Sequence, residues 1–122
     1  MRYRTLAVLC AIFAAAVPSA AHHSPANFDL TVTDFAVQGK IKSVEFRNPH
    51  SEMELLVTDA KGQTAQWEVE FSSVNLLVRR GWKMDRIKAG DTVTCIGNPD
   101  KTGAKKMYMW SIKLADGTVF AK

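Results

Sequence analysis

From Asp34 onward, apolar and polar side chains alternate with a period of two, interrupted at intervals by Gly, Pro, Asn and Asp. Successive side chains on a strand point to opposite sides, so this pattern predicts strands with one buried face and one wet face. In the first run Phe35, Val37 and Ile41 share one parity while Val44 and Phe46 share the other. A bulge near Lys42-Ser43 is therefore expected. Asn48-Pro49-His50 ends the run as a turn. A second strand alternates through Met53, Leu55 and Val57, with Glu52, Glu54 and Thr58 opposite. Asp59 to Gly62 makes a hairpin turn, and a third strand sets Trp67, Val69 and Phe71 against Gln66, Glu68 and Glu70.

The period then changes once. Ser72 or Ser73 can cap a helical segment over residues 74–80, and Gly81 can end it. Arg79 and Arg80 fall in its last turn, where positive charge complements the helix dipole. Trp82 is expected to pack back onto the core. A turn over residues 87–91 leads into a fourth strand at 92–97, a loop over 99–103 precedes a fifth strand at 106–114, and Asp116-Gly117 turns the chain into Thr118-Val119-Phe120. The chain is thus mostly β. Its element order is that of a small, five- to six-stranded OB-like Greek-key barrel with one short helix between strands 3 and 4. Closure of such a barrel hides strand edges. A β-sandwich fragment is the alternative.

The other end of the chain has a different character. Arg2 and Arg4 precede an apolar run from Leu6 to Val17, followed by Pro18 and the small residues Ser19, Ala20 and Ala21. That order is what a secretory signal peptide requires. The run is about 12 residues, short of the roughly 18–20 that a membrane span needs, which makes an anchor the weaker reading. The expected organisation is a signal peptide at 1–21, an extended or loosely held arm at 22–33, and a barrel domain at 34–122. Export to the periplasm or outside the cell follows.

Removing the first 21 of 122 residues leaves 101, enough for one domain with a modest core. Arg2 and Arg4 leave with the signal, so the net charge of +4 falls to +2. A balance that small does not build a nucleic-acid footprint. Cys10 also leaves, and Cys95 remains alone within Thr92-Val93-Thr94-Cys95-Ile96. It is either a reactive thiol or a buried small hydrophobe, and its strand setting points to the second. With no disulfide framework, the core must supply stability.

The motifs taken together resemble a family of small exported bacterial proteins known as a domain of unknown function. Here they are His22-His23-Ser24, Phe46-Arg47-Asn48-Pro49-His50, Trp67-Glu68-Val69-Glu70, Leu76-Leu77-Val78-Arg79-Arg80-Gly81-Trp82, Gly90-Asp91-Thr92-Val93 and Asp116-Gly117. The chain departs from that pattern at Phe46, where tryptophan is expected, and at Ser51, where a larger residue is common. The resemblance implies export and the fold. It implies no activity.

All three histidines are His22, His23 and His50. If cleavage follows Ala21, His22 offers its α-amine and its imidazole to one metal, and His50 supplies a third nitrogen. The amine's pKa lies near 8, so protons compete less than at a lysine. A T-shaped or square-planar nitrogen set favours Cu(II). If cleavage follows Ala20, His23 is third in the chain. Amine, two deprotonated amides and that imidazole then form a planar Cu(II) or Ni(II) chelate without His50. The alternative for all three is a solvated pair and a turn residue.

Other constellations point to structure rather than chemistry. Met107 and Met109 share a strand face and read as core filler rather than Cu(I) thioethers. Glu52, Glu54, Glu68 and Glu70 read as one solvated face, with Lys40, Lys42 and Lys113 placed to neutralise it. Arg79, Arg80, Lys83, Arg86 and Lys88 form a basic cluster that is either a solvated helix end or a dock for an anionic envelope partner. No nucleophile–base pairing and no phosphate-cradling loop occurs, so the sequence names no enzyme. It points to a binding protein that takes copper, or to an envelope adaptor without a metal.

Overall fold

The strand β1 (Phe35–Glu45) belongs to two neighbours at once, and that double pairing makes the barrel. The computed structural model describes residues 25–122, so the expected signal peptide and His22-His23 lie outside the described residues. The first half of β1, Phe35 to Lys40, pairs antiparallel with β4 (Thr92–Pro99). Its second half, Lys40 to Glu45, pairs antiparallel with β2 (His50–Thr58). The register shifts between Ile41 and Ser43, which is the bulge that the parity change required.

β2 and β3 (Thr64–Ser72) form a regular hairpin, from His50 opposite Ser72 to Thr58 opposite Thr64. In its turn Asp59 accepts from the backbone N–H groups of Lys61 and Gln63 at 2.8 and 2.9 Å. β4 pairs antiparallel with β5 (Lys106–Leu114). A parallel pairing of β3 with β5, Glu68–Phe71 beside Lys106–Met109, closes the circle. β6 (Val119–Ala121) adds to the far end of β5 beside Ser111–Lys113. The result is a closed five-stranded OB-like barrel with one extra strand.

Between β3 and β4 lies the helix α1 (Val74–Arg79), whose first turn is capped by Ser73 accepting from the Leu76 N–H at 3.3 Å. Gly81 ends it at φ 78°, a left-handed conformation that a side chain resists. That reversal drives Trp82 under the barrel. Trp82 is 5% exposed, and its indole N–H donates to the Ala121 carbonyl at 3.1 Å. Aromatic contacts run from Phe46 through Phe71 and Trp82 to Phe120, with ring centroids 5.9, 6.3 and 5.7 Å apart. They plug the barrel end on which α1 sits.

The bounds of β4 and of the last strand differ from those expected. β4 continues past residue 97 to Pro99, because a second register shift at Ile96/Gly97 lets the strand bend and keep pairing with β5. Pro99 lies beyond the last β1 partner, so its missing N–H interrupts no ladder there. The last strand is Val119–Ala121, one residue later than expected.

Met107 and Met109 are core residues, 0% and 1% exposed. Cys95 is fully buried, and burial alone pushes its thiol up to about 12. The thiolate is the reactive form, and burial disfavours it. We expect the peptide containing Cys95 to alkylate with iodoacetamide at least about 100-fold more slowly in native protein than in urea. Mass spectrometry of timed digests checks this, and equal rates would refute the burial.

Candidate functional site

The outer face of β2 and β3 carries the four glutamates in two directly opposed pairs, Glu52 with Glu70 and Glu54 with Glu68. Like charges placed opposite each other across a ladder repel. Each one has a basic neighbour. Arg47 meets Glu52 at 2.5 Å, Lys42 meets Glu54 at 3.1 Å, and Lys106 meets Glu68 at 2.7 Å. The Lys42 hydrogen bond is the main reason Glu54 titrates below the usual carboxylate range, and the Glu68 hydrogen bond likewise raises Lys106. These groups are exposed, so the pairs fix geometry more than they add stability.

Of the lysines expected to neutralise this face, Lys42 does so. Lys40 and Lys113 do not. They sit at registers opposite Leu56 and Thr94, away from the glutamates, and make no ion pair among the described residues. Arg47 and Lys106 stand in for them, brought in by the turn before β2 and by the parallel β3–β5 pairing.

Glu70 differs from the other three. Its side chain is only 12% exposed, and its carboxylate lies 3.6 Å from His50 Nδ1. That is beyond hydrogen-bond range. Nδ1 is buried and has no hydrogen-bond partner among the described residues. His50 is the first residue of β2 rather than part of the turn, because Ser51 behind it is fully buried and holds the turn from inside. The Ser51 hydroxyl accepts from the Arg47 N–H at 3.3 Å and donates to the Arg47 carbonyl at 3.5 Å. A larger residue at 51 would have no room for that contact.

The segment ahead of β1 is pinned beside this face. Phe28 bridges to Asp100, and the Asp29 N–H donates to the Pro99 carbonyl at 2.8 Å. Phe28 is 3% exposed, with its ring centroid 6.0 Å from that of Tyr108 on β5. Asn98 donates to the Val32 carbonyl at 2.7 Å. Phe28 separates two surface grooves. One, of about 300 Å³, runs over the glutamate face. The other, of about 320 Å³, lies between the pinned segment, α1 and β5.

The basic cluster is dispersed. Arg79 is exposed, whereas Arg80 turns inward and donates to the Ser72 hydroxyl at 3.2 Å. Arg86 is engaged by Asp116 across the closing turn. Thus Ser73, not Ser72, caps the helix, and Ser72 is left 3.4 Å from the Tyr108 hydroxyl. Glu70, Tyr108 and Phe28 were not legible as site residues in the sequence. The β2–β3 alternation places Glu70 outward, but only the register brings it beside His50.

His50 is the one histidine among the described residues; His22 and His23 lie outside them. Among the described residues no three His, Cys, Asp or Glu side chains converge as a metal site, and no helix is long and apolar enough to cross a membrane.

Fold and face together define a small barrel with a tethered segment beside a histidine–carboxylate pair. The chain belongs to a family of unknown function, DUF6152, whose model matches residues 10–108. No match to a curated protein is found.

Proposed function

We propose that the chain is exported, loses its first 20 or 21 residues, and acts in the cell envelope as a binding protein that holds Cu(II). Its ligands are the new terminal amine, His22 or His23, and, when the terminus is His22, His50. Supporting this is the setting of His50: a half-buried imidazole whose Nδ1 faces the Glu70 carboxylate at 3.6 Å and has no hydrogen-bond partner among the described residues. A carboxylate on one side of an imidazole favours the tautomer that leaves the other nitrogen free for a metal. Nε2 is then the donor atom.

Reach is compatible with it. His22 lies six residue steps ahead of Phe28, and such a stretch spans at most about 20 Å. From Tyr108, against which Phe28 packs, His50's strand is two strand spacings away across β3, about 10 Å. The contour length of the tether exceeds that separation. The test is a Cu(II) titration of the processed protein against a version with one extra residue ahead of its terminus. Loss of binding on extension supports the reading; equal binding overturns it.

A further inference from the structure

The second groove offers a ligand chemistry that the histidines do not use. Its walls carry two exposed aliphatic side chains, Leu30 on the pinned segment and Leu76 on α1, 59% and 36% exposed. Exposed leucines on facing walls of one groove are more informative than scattered ones. Tyr108 and Trp110 of β5, both half-buried, line it with aromatic surface. At its inner side Arg80 is held by the Ser72 hydroxyl, and Ser72 in turn lies against the Tyr108 hydroxyl. Arg80 has no carboxylate partner among the described residues, and no acidic side chain lines the groove.

The contrast with the neighbouring face decides what fits. There, Glu52, Glu54 and Glu68 each have a cation. Here a guanidinium is held by the Ser72 hydroxyl and makes no ion pair among the described residues, beside a lipophilic wall. Guanidinium recognises carboxylate through paired, charge-assisted hydrogen bonds. The volume lies at the small end of ligand sites. We infer that this groove binds a small amphiphilic carboxylate, its head on Arg80 and the Ser72 and Tyr108 hydroxyls, its aliphatic or aromatic body along Leu30, Leu76 and Trp110.

Octanoate is a suitable probe, titrated into isotopically labelled protein and followed by NMR. It should move the Trp110 indole and the Leu30 and Leu76 methyl resonances with a dissociation constant on the order of 1 mM or tighter, as expected for about ten non-hydrogen atoms. 1-Octanol, lacking the charge, and acetate, lacking the body, should each bind at least about tenfold more weakly. Arg80→Gln should weaken octanoate by a similar factor, and Arg79→Gln, the same charge change on the exposed neighbour, should leave it unaltered. Leu76→Asp, at an exposed helix position, puts a carboxylate on the wall and should abolish binding even if Arg80→Gln perturbs the fold. Absence of shifts at these residues overturns the assignment. So does equal binding of octanol or acetate, or an Arg80→Gln affinity equal to that of the unaltered protein.

Discussion

Replacing Gly97 by alanine is expected to destabilise the protein by about 3 kcal/mol or more, a large share of the total stability of a domain this size. Gly97 is buried at the bulge where β4 changes register against β5. A Cβ built there meets the Tyr108 carbonyl oxygen at 1.9 Å, the Tyr108 carbonyl carbon at 2.9 Å and Met109 Cα at 3.0 Å. All three are backbone atoms, so no side chain can rotate away. Relief requires β4 and β5 to separate, yet β5 is also held by β3 on its other edge. Moving it opens the barrel. A domain of this length loses roughly 4–8 °C of melting temperature per kcal/mol, so the variant should melt at least about 12 °C lower. Gly39 provides the graded comparison. A Cβ there meets the Leu56 carbonyl oxygen at 2.8 Å, a Val57 methyl at 3.1 Å and the Leu55 Cβ at 3.3 Å. Gly39→Ala should therefore cost less, about 1–2 kcal/mol. Thermal or urea unfolding of both variants checks the order. Were Gly97→Ala to melt within a degree or two of the parent, the close approach of these strands would be wrong.

That glycine also marks where reading the sequence stops working. Period-two alternation placed β1, β2, β3 and β5 well, because each buries one face and the pattern is a direct record of burial. The bulge near Lys42 was legible for the same reason, since a parity change has no other cause in a continuous strand. Beyond Gly97, Asn98-Pro99 reads locally as a breaker, and only pairing with β5 keeps it a strand. Local preference was overridden by a partner distant in sequence.

The site was less legible than the fold, for a related reason. Outward positions carry no periodic signal that distinguishes a solvated residue from a functional one. Glu70 and Glu68 alternate identically along β3, yet one is exposed and paired with Lys106 while the other is shielded beside His50. The difference comes from the parallel contact with β5, where Glu70 falls beside Tyr108 and Glu68 beside Lys106. Parallel pairing between residues about 38 apart in the chain leaves no short-range mark. Arg79 and Arg80 make the same point. Adjacent and chemically equal in sequence, they diverge because Arg80 stands at the helix end and can fold back onto Ser72.

Adding a single residue ahead of the processed terminus should weaken Cu(II) binding by at least about 100-fold. The α-amine is a direct ligand in either proposed site, and losing an outer group that merely orients a ligand already costs about 10- to 100-fold. The extension removes the amine next to His22 in one case and moves His23 out of third position in the other. The two sites then separate at His50. With the terminus at His22, His50→Ala removes a direct ligand and should lower affinity by a factor as large as the extension does, while Glu70→Gln, which keeps the shape and removes the charge beside Nδ1, should lower it about tenfold. With the terminus at Ala21, both substitutions should leave affinity unchanged and His23→Ala should abolish it. Because the amine and imidazoles must shed protons to bind, affinity should fall as pH drops below about 8 and more steeply below about 6.5 in either case. Intact mass of the exported protein fixes the terminus, and Cu(II) titration monitored by visible absorption and electron paramagnetic resonance reads affinity and nitrogen count together. A processed chain that binds equally well with its amine extended has no terminal copper site, and His50 beside Glu70 then holds the start of β2 and nothing more.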